Sequence, residues 1–251
     1  MMVVSMERWK GKVAVITGAS SGIGAAAAEK LVNEGLLVVG IARRKEKLDE
    51  LREKLKGNFY PYTADITNEK EILQAFKWIK ENVGPIHILI NNAGLVKKSN
   101  LTDGDTAAWK AAFDVNVLAL CIATREAIKD MRANNIDGHI IHINSLLAHK
   151  VMYIPDMNVY PASKAAVLAL VETLRQELNA IGSKIKISNI SPGLVKTEFF
   201  DAADIFKMND EVTVFKIFPY IESEDVADAI VYCLSTPPHV QIHQLTVTPF
   251  D

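Results

Sequence analysis

The chain has 251 residues, 49% of them hydrophobic, enough to bury a sizeable core as one domain spanning 1–251. Charged residues make up 23% and the formal net charge is -2, so no basic field marks it for nucleic acid or an anionic membrane surface. Two isolated cysteines, Cys121 and Cys233, offer neither a disulfide framework nor a C-x-x-C metal or redox spacing, which fits a reduced, cytoplasmic compartment.

The opening Met1-Met2-Val3-Val4-Ser5-Met6 is too short for a signal peptide and soon meets Glu7, Arg8 and Lys10; Met1 and Met6 are both candidate starts. No uninterrupted apolar run approaches 18 residues, so no membrane span is expected. Strands and helices then alternate. Lys12 to Thr17 is a β-branched apolar run suited to a strand buried on both faces. Gly18-Ala19-Ser20-Ser21-Gly22-Ile23-Gly24 follows, and Ala25 to Asn33 reads as a helix ending near Gly35. A glycine-rich turn between a first strand and a first helix allows close backbone approach to a pyrophosphate, with the helix N-terminus supplying free N–H groups.

Leu36 to Ala42 is the second strand, and it ends Gly40-Ile41-Ala42-Arg43-Arg44. An NAD site usually has an acid there for the ribose 2′-hydroxyl, whereas arginine accommodates the 2′-phosphate of NADP. Two guanidiniums can grip a phosphate with charge-assisted bonds. Cations at the start of the next helix, Lys45 to Lys56, oppose its dipole and so call for another reason to be there. NADP(H) is the expected cofactor.

Phe59 to Ala64 reads as a strand, Glu69 to Asn82 as a helix, and His87 to Asn91 as a strand. Trp109 to Arg132 reads as one long helix, His139 to Asn144 as a strand, and Val159 to Ala180 as a second long helix. Lys184 to Ile190 is a sixth strand, Ser223 to Leu234 a helix, and Gln244 to Val247 a short seventh strand. Such alternation predicts a doubly wound α/β domain with a parallel sheet of about seven strands. The irregular stretch 192–221 is longer than most connections and is the expected substrate loop.

Tyr160 and Lys164 are four apart, so on a helix they share one face. Held together out of bulk water, the ammonium is expected to lower the phenol pKa from ~10 toward neutrality, making a general acid/base. His139, His142 and His149 cluster near Ser145, but alternation puts the first two on opposite faces of a strand. No G-x-S-x-G elbow surrounds the serine. Structural histidines are expected, with His149 the one able to approach substrate and His239 and His243 at the surface or a subunit contact. No metal-ligand spacing is present.

Taken together, Thr17-Gly18-x-x-x-Gly22-x-Gly24, Asp65, Asn91-Asn92-Ala93-Gly94, Asn116, Ser145, Tyr160-x-x-x-Lys164 and Pro192-Gly193-x-Val195-x-Thr197 resemble the short-chain dehydrogenase/reductase family over nearly the whole chain. Met6-Glu7-Arg8-Trp9, Asn116 to Leu120, Arg175 to Leu178 and Val240 to His243 are similar to one branch, the insect NADP-dependent farnesol dehydrogenases and their vertebrate carbonyl and keto-steroid reductase relatives. The resemblance implies a Rossmann-type fold and a catalytic set of Asn116, Ser145, Tyr160 and Lys164. In that set Tyr160 is the acid/base, Ser145 bonds the substrate oxygen, Lys164 lowers the tyrosine pKa and binds the nicotinamide ribose, and Asn116 holds a relay water. It further implies cofactor contacts from Gly18, Ser20, Ser21, Gly22, Ile23, Gly24, Arg43, Arg44, Asp65, Ile66, Asn91, Ala93, Gly94, Pro192, Gly193, Val195 and Thr197, besides Tyr160 and Lys164.

Two departures stand out: Ser145 lies 15 residues before Tyr160, and Ala148 stands where the family often has glycine. An apolar pocket is expected from Leu146, Leu147, Val151, Met152, Tyr153 and Ile154, with Phe199, Phe200, Ile205, Phe206 and Met208 from the irregular stretch. The expected reaction interconverts a small apolar alcohol, a terpenoid such as farnesol, with its carbonyl; the alternatives are a keto-steroid or broad carbonyl reductase, and a catalytically silent NADP(H) sensor. The resemblance also implies a homodimer or homotetramer built through the two long helices.

Overall fold

The computed structural model describes residues 4–157, 159–199 and 214–250. Seven strands form the sheet: β1 Val13–Thr17, β2 Leu37–Ala42, β3 Phe59–Thr63, β4 Ile86–Asn91, β5 His139–Ile143, β6 Lys186–Pro192 and β7 Gln244–Val247. All neighbouring pairs are parallel, in the order β3-β2-β1-β4-β5-β6-β7. The chain reverses its direction of sheet growth between β1 and β4, which leaves a crevice beyond the carboxyl ends of these strands.

Alternation along each strand divides the core in two. Ala14, Ile16, Ile88, Ile90, Ile141 and Ile143 pack with α1 (Gly22–Asn33), α2 (Lys45–Leu55) and α7 (Ser223–Ser235). On the other face Val13, Val15, Leu89, Ile140 and Ile187 meet α3 (Glu69–Asn82), α5 (Leu120–Ala133) and α6 (Val159–Ala180). Strands buried on both faces have near-continuous apolar sequences for this reason.

Three elements differ from the sequence reading by more than one residue. Helix α1 starts at Gly22, so the second and third glycines of the turn are already helical. β6 runs from Lys186, which lies beside His139 of β5, to Pro192 rather than from Lys184 to Ile190. The first long helix covers Thr106–Ala133 as a continuous run, but Asp114–Ala119 is a π-helical stretch between α4 (Thr106–Phe113) and α5. By length and hydropathy this 28-residue run matches a membrane span. Its Ala119, Leu120, Ala123, Ala127 and Met131 are instead buried against the sheet and α6.

Within 192–221, Val195 forms a bridge with Ile221, closing the base of the irregular stretch, and Val214–Lys216 makes a single 3-10 turn. The pocket residues Phe200, Ile205, Phe206 and Met208 lie outside the described residues.

Candidate active site

The glycine turn is fitted to its neighbours too closely for side chains. Gly18 has φ +69°, and a Cβ there would fall 2.8 Å from the Cα of Ala93. A Cβ on Gly24 would fall 2.4 Å from the Gly18 carbonyl oxygen. Asn92 locks this approach: its Nδ2 donates to the carbonyls of Thr17 and Gly18 at 3.0 and 3.1 Å. The Thr17 hydroxyl accepts from the backbone N–H groups of Asn92 and Ala93, each at 3.2 Å. The α1 N-terminus thus faces the crevice with its free N–H groups aligned for an anion.

A cleft of about 480 Å³ opens over this turn. Its walls contain Gly18, Ser20, Ser21, Gly22 and Ile23 from the turn, Arg43 and Arg44 beyond β2, and Asp65 and Ile66 beyond β3. Ala93 and Gly94 follow β4, while Pro192 ends β6 and Gly193, Val195 and Thr197 follow it. The sequence reading therefore selects residues that five different segments deliver to one cavity. Asn91 is the exception: it is buried beneath, donating to Thr124 Oγ1 at 2.9 Å, and Gly24 likewise acts by packing.

Arg44 folds back over the turn, donating from Nε to Ser20 Oγ at 3.1 Å and from Nη2 to Ser21 Oγ. Arg43 is exposed in the adjoining wall, with no ion-pair partner among the described residues. Asp65 is held by Thr67, whose N–H and hydroxyl donate to Oδ1 at 2.9 and 2.8 Å.

At the other end of the cleft lie Ser145, Tyr160 and Lys164, all buried. Ser145 ends the extended backbone after β5 and caps the short turn Leu146–Ala148, accepting from the Leu147 N–H at 3.1 Å. That leaves its hydroxyl to bond Tyr160. The longer Ser–Tyr connection does not separate the two, because Ser99 forms a bridge with Met157 and donates its N–H to the Asp156 carbonyl at 2.9 Å, folding the loop back to α6.

The tyrosine pKa does not fall as the spacing suggested. Burial pushes the Tyr160 phenol up to about 12, with the Ser145 hydrogen bond acting against the rise. Burial likewise pushes Lys164 down to about 8. The Lys164 Nζ donates to the Ile143 carbonyl at 2.9 Å, so the ammonium is not aimed at the phenol oxygen.

Asn116 sits in the π-helical stretch and is almost wholly buried. Its Oδ1 accepts from the Leu95 N–H at 2.7 Å, while Nδ2 donates to the Leu95 carbonyl at 2.8 Å and to Ser163 Oγ at 2.9 Å. Ser163 in turn donates to the Tyr160 carbonyl at 2.7 Å, tying the loop after β4 to the first turn of α6. In this arrangement the asparagine side chain positions backbone.

Leu146, Leu147, Met152, Ile154 and Phe199 line the cleft as the sequence suggested, but Val151 and Tyr153 are 79% and 89% exposed and do not. An apolar side chain in a loop has no periodicity to say which way it faces. Leu95, Val96 and Met157 also line the cleft, and no local pattern singles them out. Phe199 packs against Tyr160 with ring centroids 5.7 Å apart. Asn144 was also missed: it lines the cleft with both amide atoms buried and unpartnered among the described residues, a polar pair suited to a ligand amide or hydroxyl.

The histidines are structural. His139 pairs with Ser188 Oγ at 2.9 Å and His142 with Asn91 at 3.1 Å, on opposite faces of β5, and burial pushes both down to about 3. His149 pairs with Ser191 Oγ at 2.9 Å and is not among the residues lining the cleft; His239 and His243 are exposed.

The chain matches the family model described as short chain dehydrogenase over residues 12–206. It is 42% identical to a farnesol dehydrogenase of Aedes aegypti over 249 residues, covering 97% of this chain and 98% of that one. It is 44% identical to the dehydrogenase/reductase SDR family member 11 of Homo sapiens over 257 residues, covering 98% and 97% of the two chains. Among solved structures, the closed form of a serine dehydrogenase complexed with NADP+ matches with a TM-score of 0.84 and 30% identity over 93% of each chain.

Proposed function

Because the chain belongs to the short-chain dehydrogenase family and is an oxidoreductase, we propose that it uses NADP(H) to interconvert an apolar alcohol, a terpenoid such as farnesol, with its aldehyde or ketone. The observation that carries this reading is one continuous cleft with Arg44, Ser20 and Ser21 at one end and Ser145, Tyr160 and Lys164 at the other. The glycine cradle, the hydroxyl–guanidinium cluster and the unpartnered Asn144 amide all fit a phosphorylated dinucleotide.

When bound, the cofactor supplies or accepts the hydride. The residues of the chain do the rest. The Gly18–Gly24 turn and the α1 N-terminus take the pyrophosphate, and Arg43 and Arg44 take the 2′-phosphate. Asp65 and Ile66 flank the adenine end; Gly94, Pro192, Gly193, Val195 and Thr197 flank the nicotinamide end. Tyr160 holds a proton on its phenol oxygen for the substrate oxygen, and Ser145 steadies the charge that develops there. Lys164 offers a positive charge at the base of the site. Val96, Leu147, Met157, Ile154 and Phe199 form an apolar cluster around Tyr160 that excludes water and suits a hydrocarbon substrate. Phe113 and Leu118, exposed on the first long helix, support a homodimer or homotetramer through that helix and α6.

A second reading is a carbonyl or keto-steroid reductase, which the same cleft and the same Tyr160 proton would serve in the opposite direction. Assaying NADP+ reduction and NADPH oxidation against terpenoid alcohols, steroids and diketones separates the two. Turnover of isoprenoid alcohols supports the first; turnover of ketones alone supports the second; none with any of them supports a silent NADP(H)-binding protein.

A further inference from the structure

The cleft contains an acid of its own at the place expected for an anion. Arg44 donates from Nη1 to Glu198 Oε2 at 2.8 Å, while its other nitrogens engage Ser20 and Ser21. The same carboxylate is hydrogen-bonded by Ser21 and lies in the field of Lys47, and the Arg44 hydrogen bond leads in holding its pKa below the usual carboxylate range. It is thus surrounded by the groups that would surround a phosphate.

The two partners come from opposite sides of the crevice. Arg44 follows β2 and Glu198 follows β6, with β1, β4 and β5 lying between those strands in the sheet. Both residues line the cleft, and their ion pair passes over the glycine turn. At 47% and 58% side-chain exposure the pair adds little to the stability of the fold. What it does is occupy the guanidinium.

Resting on the NADP(H) reading, we propose that Glu198 is a determinant of cofactor affinity that competes with the 2′-phosphate for Arg44. All three nitrogens of the Arg44 guanidinium are already engaged, by Glu198, Ser20 and Ser21, so a phosphate gains a bidentate grip from Nη1 only once the carboxylate has left. A dianionic phosphate outcompetes a single carboxylate, and the cost of releasing Glu198 appears as weaker binding. For an exposed pair that cost is about two- to fivefold in affinity. The effect is confined to ligands bearing the 2′-phosphate, because a ligand without it leaves the pair in place.

Titration calorimetry of the wild type and of Glu198→Gln, with 2′,5′-ADP and with 5′-AMP as probes, tests this without turnover. The glutamine variant is expected to bind 2′,5′-ADP about two- to fivefold tighter and 5′-AMP as before. Unchanged or weaker 2′,5′-ADP binding, or equal tightening of both probes, overturns the proposal. The wild type alone tests the underlying reading: equal affinity for the two probes removes NADP(H) preference, and the role of Glu198 with it.

Discussion

The Lys164 Nζ lies 5.8 Å from the centre of the Tyr160 ring, yet its hydrogen bond goes to the Ile143 carbonyl. One turn of α6 brings the two side chains together, and the end of β5 decides where the ammonium points. The phenol, out of water and without an ammonium on its oxygen, is pushed up to about 12 and stays protonated at neutral pH.

Tyr160→Phe removes that hydroxyl and keeps the ring that packs on Phe199. Turnover should fall by about 10²- to 10⁴-fold, the usual contribution of a positioned acid/base. NADPH affinity, read by fluorescence titration, should stay close to wild type. Unchanged turnover would remove Tyr160 from the mechanism.

The two directions should differ in their response to pH. Alcohol oxidation requires a deprotonated tyrosine, and with the phenol pushed up that form is scarce at pH 7 and grows as pH rises. kcat/KM for oxidation should therefore climb through the alkaline range, whereas carbonyl reduction, which requires the proton, should not. A flat oxidation profile between pH 7 and about 9 contradicts the assignment of Tyr160 as base.

His139 and His142 are held neutral by burial, with pKa values of about 3 against 6.5 for an ordinary histidine. The unfolded chain binds protons at these positions below pH 6.5 while the folded chain does not, so stability falls as pH drops from about 6.5 toward about 3. Urea midpoints should be lower at pH 5 than at pH 7.5. His142→Asn, which keeps a side chain able to face Asn91 but cannot protonate, should narrow the difference; an equal pH response in that variant contradicts the linkage.

Arg44→Ala deletes a charged donor to the expected 2′-phosphate, worth about 10- to 100-fold in NADPH affinity for a charge-assisted bond. NADH affinity should change far less. Arg43, exposed beside it without an ion-pair partner among the described residues, should give a smaller change of the same kind. Parallel losses for both dinucleotides would show that Arg44 supports the turn instead of reading the phosphate.

The strand runs were legible because parallel strands buried on both faces are written as β-branched blocks, and Arg44 was legible because it stands where an acid is otherwise expected. Glu198 was not: it meets Arg44 across 154 residues of sequence, and local reading has no access to such a pair. The direction of the tyrosine shift was missed for a related reason. Helical spacing gives the proximity of Tyr160 and Lys164, but burial and the Ile143 carbonyl decide the outcome. Likewise Val151 and Tyr153 carry no mark of their exposure, while the adjacent Met152 faces the cleft.

The π-helical stretch at Asp114–Ala119 has a consequence for how this protein tolerates change in length. A wider turn amounts to about one extra residue, which rotates everything after it by about 100° relative to a regular helix. α4 and α5 are therefore out of phase, and the seating of Leu120, Ala123, Ala127 and Met131 on the sheet depends on the offset. Removing one residue between 114 and 119 lets the helix regularise with α5 still seated on the sheet, and the loss falls on the wide turn that holds Asn116 against Leu95. A change that regularises the helix without shortening it instead turns the apolar stripe of α5 by about 100° off the sheet, so it propagates to the far end of the helix.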